Sequence, residues 1–203
     1  MSLTLKSLSE FALGVSWEIE ESTMRTSHAI LASDRVWLVD PVDQAEAMER
    51  VAALGEPAGV IQLLDRHNRD CARIAERLGV PHIAIPSDVP DSPFRAISVL
   101  RLPTWRESAL WWAEERVLVV AEAIGTGPVF TTGHGAAGMH PVLRPLPPSA
   151  LRGFEPEHLL CGHGAPVHGA AARGAVEWAY AHARRDLVRI PLVLARLARG
   201  GRG

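Results

Sequence analysis

The sequence is poor in lysine and has no long apolar runs. Lys6 is the only lysine among 21 basic residues. This preference for arginine over lysine is more typical of codon usage than of function. A single arginine is therefore weak evidence for a functional role. No apolar run approaches the length of a membrane-spanning helix. The net charge of −2 gives no reason to expect nucleic acid or an anionic membrane as a partner.

Cysteine is also scarce, and the N-terminal sequence lacks the features of a signal peptide. Cys71 and Cys161 need no disulfide in a reducing compartment, and two small buried apolar residues are the simplest interpretation. The start MSLTLKSLSEFALG has no charged region followed by an apolar core and a small-residue cleavage site. We therefore expect a cytoplasmic protein.

The composition favours one globular domain. A chain of 203 residues that is 47% hydrophobic can bury a sizeable core. We assign residues 1–185 to this domain and residues 186–203 to a basic C-terminal tail. The tail is interpreted as a solvated helix end, and a homodimer contact through residues 190–194 is the lesser alternative.

The most informative stretch is residues 59–78. Gly59 to Leu64 is a short apolar run typical of a buried strand, and Cys71 to Leu78 has apolar residues at helical spacing before Gly79. Six polar residues, 65–70, lie between them. Turns that follow buried strands often carry the chemistry of α/β proteins, so we expect the functional site here.

The rest of the chain predicts mixed strands and helices. Residues 27–31 and 36–39 form a predicted hairpin, and Asp43 is the predicted cap of a helix that follows it. Later strands are predicted at 96–102, 108–112, 117–120 and 159–161. A Gly- and Pro-rich segment, 125–148, reads as a long loop that contains His134 and His140, and residues 169–185 read as one helix.

The order of these elements, with several local motifs, resembles the metallo-β-lactamase superfamily over roughly residues 11–185. The motifs are the strand ending in Asp40, the 65–70 loop in the place of a His-x-His-x-Asp-His signature, the strand leading to Glu122, and the Gly-His-Gly turn around His163. The resemblance implies an α/β, four-layered αββα sandwich in a single domain. It also implies a binuclear metal centre, usually zinc, at one edge of the two sheets.

The sequence departs from the family at most ligand positions. Where the signature loop has three histidines and an aspartate, this chain has Asp65, His67, Asp70 and Arg69 respectively. The family's middle histidine falls on Thr104, and Glu122 stands where an aspartate is normal. Only His67 and His163 are unchanged, so the resemblance implies a degraded metal centre.

The remaining ligand types allow one metal ion at most. Two imidazoles and three carboxylates form the predicted set: Asp65, His67, Asp70, Glu122 and His163. This oxygen-rich set suits manganese or iron at least as well as zinc. Alternatively, the guanidinium of Arg69 bonds Asp65, Asp70 or Glu122 and replaces the metal charge. Arg69 and Asp70 are therefore the predicted catalytic residues, and both alternatives stay open at this point.

Four further residues are predicted to line a ligand cleft: Arg66, Thr104, Trp105 and His134. His134 would reach over the site from the long loop, together with His140. Each candidate also has a plainer interpretation. Asp70 is a typical helix cap, His67 a typical surface histidine of a turn, and Glu122 an ordinary exposed carboxylate.

Two functions follow from these residues. The first is a hydrolase-like protein that holds at most one metal ion and acts weakly on an ester, thioester, lactone or phosphoester. The second is a non-catalytic protein that binds a small anionic ligand through Arg66, Arg69 and the N-terminus of the helix that begins at Cys71. In either case the partner is a small molecule. The enzymatic status depends on whether a metal is bound.

Overall fold

The first of two main sheets is built from the N-terminal part of the chain. The computed structural model describes residues 3–21, 24–67, 69–193 and 195. The strands of this sheet lie side by side in chain order: β1 Leu5–Phe11, β2 Gly14–Ile19, β3 Thr26–Ala32, β4 Arg35–Val39, β5 Pro57–Gln62 and β6 His82–Ala84. β1 to β4 are antiparallel, whereas β4, β5 and β6 are parallel.

Helices connect the parallel strands of the first sheet, because parallel neighbours cannot be joined by a tight turn. α1 (Ala45–Leu54) joins β4 to β5, and α2 (Cys71–Leu78) joins β5 to β6. The apolar spacing had predicted both helices. α2 ends at Gly79, which has φ of +67° and donates its N–H back to the carbonyl of Glu76.

The second sheet comes from the C-terminal part. The further strands are β7 Arg95–Leu102, β8 Trp105–Trp112, β9 Val117–Val120, β10 Ile124–Gly125, β11 Gly138–Met139, β12 His158–Cys161 and β13 Val167–His168. The sheet order is β13, β12, β9, β8, β7, while β10 and β11 form a separate pair. The further α-helices are α3 Pro128–Thr131, α4 Ala170–Arg173 and α5 Ala175–His182, and short 3-10 helices lie at Pro141–Leu143, Ser149–Leu151 and Arg185–Arg189.

The two sheets pack face to face, and helices cover their outer faces. One apolar cluster joins residues of both sheets, such as Ile30 and Ile61 from the first and Leu118 and Leu160 from the second. Another lies between the first sheet and its helices, where Leu38 and Val60 meet Val51 and Ile74. The layers are therefore helix, sheet, sheet and helix.

Three local predictions need correction. The cap of α1 is Gln44, whose Oε1 accepts the N–H of Ala47 at 2.8 Å, because Asp43 is held by Arg77 at 2.6 Å. The predicted helix 169–185 is interrupted at Gly174 and becomes α4 and α5. β1 was missed because its apolar residues Leu5, Leu8 and Phe11 are three residues apart and do not alternate.

The start of the C-terminal segment is anchored to the domain through the buried residue Asp186. Asp186 lies 3.4 Å from the guanidinium of Arg144, and both side chains are almost fully buried. Residues 194 and 196–203 of the predicted tail lie outside the described residues, and the boundary at 185 stays a prediction. No helix in the described part of the chain is both long and apolar enough to cross a membrane.

Candidate metal centre

Two histidines from different sheets meet at one edge of the sandwich. His67 follows the end of β5, and His163 follows the end of β12. Their Nε2 atoms are 3.3 Å apart, and both residues are buried. The structure therefore brings together the two positions that match the family signature.

Glycines allow the turn around His163 to approach its neighbours. A Cβ at Gly162 would lie 2.4 Å from the carbonyl oxygen of Ala121 and 3.0 Å from Cε1 of His67. Gly164 has φ of +90°, and a Cβ there would lie 2.3 Å from the backbone nitrogen of Gly127. Close backbone packing thus requires glycine on both sides of His163.

Asp40 sets the tautomer of His67. Its Oδ2 lies 2.9 Å from Nδ1 of His67, and its Oδ1 accepts the N–H of Leu63 at 3.0 Å. Burial raises the pKa of Asp40, but the contact with His67 and the charge of Arg69 outweigh burial and hold that pKa below its usual value. A carboxylate only accepts, so Nδ1 of His67 carries the proton and its Nε2 presents a lone pair to His163.

The neutral form of His67 is favoured by its surroundings. Burial and the charge of Arg69 lower the pKa of His67, and the opposing effect of Asp40 does not outweigh them. A neutral imidazole with a fixed tautomer is the state that binds metal ions.

Glu122 completes a group of three ligand atoms. Its Oε1 lies 3.8 Å from Nε2 of His163, and its Oε2 accepts a hydrogen bond from Arg66. Burial raises the pKa of Glu122, but the hydrogen bond from Arg66 and the charge of its guanidinium outweigh it, so the pKa lies below its usual value. The ligand atoms of His67, Glu122 and His163 all lie within 4.8 Å of one another.

An arginine whose guanidinium is stacked on a tryptophan ring forms the outer side of this group. The guanidinium of Arg66 lies 4.1 Å from the ring centroid of Trp105, and its side chain is 45% exposed. The buried indole also meets the ring of His140 edge-on at 4.8 Å. Arg66 and Trp105, both predicted to bind a ligand, thus lie together beside Glu122.

His140, rather than His134, reaches the site from the long loop. Nε2 of His140 lies 4.0 Å from Oε1 of Glu122. His134 instead contacts Asp186 at 2.9 Å and packs against Trp178. The prediction that His134 covers the site is therefore wrong, because the loop folds back over α5 at that point.

The guanidinium of Arg69 bonds backbone carbonyls and not the predicted carboxylates. Its Nη1 donates to the carbonyls of Thr26 at 2.6 Å and Asp40 at 2.8 Å, and its Nη2 donates to that of Gly162 at 2.9 Å. Burial lowers the pKa of Arg69, although Asp40 opposes the shift. The expectation that Arg69 directly neutralises Asp65, Asp70 or Glu122 is therefore wrong. Arg69 instead acts as a clamp that joins three strand ends.

Asp65 and Asp70 do not join the ligand group. Oδ2 of Asp65 accepts the backbone N–H of Arg106 at 2.9 Å. Asp70 precedes α2 but makes no capping bond; its Oδ2 accepts the N–H of Asp43 at 2.8 Å, and its Oδ1 pairs with Arg73 at 2.7 Å. Both carboxylates hold the loop in place, which leaves three of the five predicted ligands together.

Thr104 lies away from the site. It is exposed in the turn between β7 and β8, and the next residue, Trp105, turns inward. Of these two neighbours, Trp105 and not Thr104 is therefore the one that contributes to the site. The thiols of Cys71 and Cys161 are buried and free, and burial raises the pKa of both.

Glu107 is a buried residue of the site that sequence reasoning missed. Its Oε1 accepts the N–H groups of Glu122 and Ala123, each at 2.9 Å, and its Oε2 accepts the indole N–H of Trp105 at 3.0 Å. Burial raises the pKa of Glu107 to about 7. It was missed because the strand was predicted to begin at residue 108, whereas β8 begins at Trp105 and buries Glu107.

Comparison with known proteins supports the fold only. No family model matches the sequence, and no curated protein matches it. Among solved structures, a DIM-1 metallo-β-lactamase exposed to ceftazidime is similar with a TM-score of 0.63 at 10% identity, covering 91% of this chain and 98% of that one.

Two metallo-β-lactamases from Erythrobacter litoralis are also similar. One, an NDM_FIM-1 like enzyme in its mono-zinc form, has a TM-score of 0.59 at 15% identity, with 88% of this chain and 96% of that chain covered. The other has a TM-score of 0.56 at 12% identity, with 90% and 96% covered. The chain has the metallo-β-lactamase fold, and the predicted single-domain αββα sandwich is confirmed.

Proposed function

Starting from the metallo-β-lactamase fold, we propose that this protein is hydrolase-like and holds one divalent metal ion at His67, Glu122 and His163. The observation that carries the proposal is the convergence of these three ligand atoms within 4.8 Å. Two imidazoles and one carboxylate, with one position left for water or substrate, are a ligand set of hydrolytic zinc sites.

The spacing of the two histidines fits a shared ion. Two imidazole nitrogens bound tetrahedrally to zinc at about 2.0–2.1 Å lie roughly 3.3 Å apart. The observed distance between the Nε2 atoms of His67 and His163 is 3.3 Å. Manganese and iron(II) accept the same ligand types, so the identity of the ion is part of the test.

The chain supports one ion and not two. Asp65 and Asp70 are bonded elsewhere, and Arg69 places a permanent charge beside Asp40. A divalent ion at the remaining three ligands would lower the pKa of a coordinated water to about 7 and polarise a carbonyl or phosphoryl oxygen. The substrate we propose is accordingly a small ester, thioester, lactone or phosphoester.

His140 contributes a hydrogen-bond donor to this reaction. Its Nδ1 accepts the backbone N–H of Val142 at 3.2 Å. Burial lowers the pKa of His140, and the charge of Arg66 adds to this effect although Glu122 opposes it. The neutral ring therefore carries its proton on Nε2, which faces Glu122, and is placed to donate to an oxygen of the substrate.

Metal content tests the proposal. We expect about one zinc, manganese or iron per purified chain by elemental analysis, in line with a single three-ligand site. His163→Ala should lose the metal, whereas His134→Ala, a histidine bonded to Asp186 outside the group, should keep it. Restoring metal to chelated protein should restore hydrolysis of at least one of the four ester classes.

A second candidate is a non-catalytic protein that binds a small anionic ligand. Arg66 favours it, because an exposed guanidinium stacked on Trp105 has donors beyond the one given to Glu122. Protein that stays metal-free after incubation with each ion, and whose thermal stability is unchanged by a chelator, would overturn the first proposal and support this one.

A further inference from the structure

Glu107 lies fully buried in β8, where a carboxylate destabilises the fold unless its oxygens are hydrogen-bonded. Its three hydrogen-bond donors are all neutral groups: two backbone N–H groups and one indole N–H. Burying a carboxylate among neutral donors costs free energy of folding. The groups that Glu107 orients therefore indicate its function.

One oxygen of Glu107 fixes the backbone from which the carboxylate ligand projects. Oε1 accepts the N–H of Glu122 and that of Ala123, each at 2.9 Å. These residues come directly after β9, where the chain leaves the sheet. The bonds therefore set the direction of the Glu122 side chain, whose Oε1 lies 3.8 Å from His163.

The other oxygen fixes the indole on the outer side. Oε2 of Glu107 accepts the N–H of Trp105 at 3.0 Å. That ring supports the guanidinium of Arg66, which in turn bonds Glu122. The carboxyl group of Glu107 thus holds both the backbone of Glu122 and the indole ring that supports Arg66, the charged partner of Glu122.

We infer that Glu107 is a positioning residue of the candidate metal centre, which holds Glu122 within reach of the two histidines. The inference rests on the proposed function, because it concerns the affinity of the same site for its ion. Partners that orient metal ligands typically change affinity by about ten- to hundredfold when they are replaced.

The test is the zinc affinity of Glu107 variants, measured by competition with a chromophoric chelator. In Glu107→Gln, one carboxylate oxygen becomes an NH2 group, so a donor must face either the backbone N–H groups or the indole N–H of Trp105. We expect a loss of zinc affinity of about ten- to hundredfold. Combining it with Trp105→Phe removes the opposing indole donor and should recover affinity to within about threefold of Trp105→Phe alone.

Asp186→Asn is the matched control, because Asp186 is a buried carboxylate bonded to His134 away from the site. It should lower thermal stability without changing zinc affinity, which separates positioning from general destabilisation. Wild-type protein that binds zinc with the same affinity as Glu107→Gln, or a double variant without recovery, overturns the inference alone. Wild-type protein that binds no zinc, manganese or iron overturns the inference together with the proposed function.

Discussion

His28 lies in the middle of β3 and is buried between the two sheets. Its Nε2 faces the carbonyl oxygen of Cys161 at 3.1 Å, and its Nδ1 lies 2.8 Å from the hydroxyl of Ser16. Because a carbonyl only accepts, Nε2 carries the proton and Nδ1 accepts from Ser16. Both ring nitrogens of the neutral form are hydrogen-bonded, and a second proton would place a charge in a buried position.

This arrangement makes stability depend on pH. Burial lowers the pKa of His28 from 6.5 to about 4, and the charge of Arg69 adds to the shift although the carbonyl of Cys161 opposes it. Below pH 6.5 the unfolded chain binds a proton at His28 that the folded chain does not bind until about pH 4. Stability from this residue is therefore present above pH 6.5 and is lost as the pH falls.

The size of the effect follows from the shift. Each pH unit between the two pKa values changes the free energy of unfolding by about 1.4 kcal/mol. Between pH 8 and pH 5, His28 should therefore remove about 2 kcal/mol of stability. The loss approaches about 3 kcal/mol by pH 4 and then levels off.

Urea unfolding of wild-type protein and His28→Gln at pH 8, 7, 6 and 5 would measure this loss. A chelator should be present throughout, so that metal binding does not contribute. The variant will be less stable at pH 8, but its stability should fall by about 2 kcal/mol less over the range. Other buried histidines titrate in both proteins and cancel. Equal losses in the two proteins would refute the account of His28 as a buried neutral residue.

Three other predictions concern the site. Arg69→Met removes three hydrogen bonds from a charged donor to buried carbonyls and should lower the free energy of unfolding by about 3–5 kcal/mol in urea titrations; a change under about 1 kcal/mol would contradict the clamp. Gly162→Ala forces a Cβ to within 2.4 Å of the carbonyl of Ala121, so elemental analysis should find less bound metal and calorimetry a lower Tm. Arg66→Met removes the charge that holds the pKa of Glu122 down, so that pKa should rise, as followed by NMR of the carboxyl carbon.

The elements of regular structure were largely predictable because their apolar spacing is a local property. α2 and β9 have the predicted bounds, Cys71–Leu78 and Val117–Val120. α1 was predicted by the same argument, whereas its cap was not. Asp43 and Gln44 can both cap a helix, and the choice depends on Arg77, which lies far along the chain.

The site was only partly predictable because its contacts join distant parts of the chain. His67 and His163 could be paired through the resemblance. His134 and His140 occupy the same Gly- and Pro-rich segment, and only the path of that segment places His140 on Trp105. The targets of Arg69 are backbone carbonyls, which have no signature in a sequence, so a guanidinium among carboxylates was paired with the wrong oxygens.

The clamp made by Arg69 has a consequence for how the domain is held together. It links the start of β3, the end of β4 and the turn after β12, and it is supplied by translation rather than by uptake of an ion. The junction of these three strand ends therefore depends on a side chain of the chain itself and not on a bound ion, so the domain should reach the same architecture in the presence of a chelator.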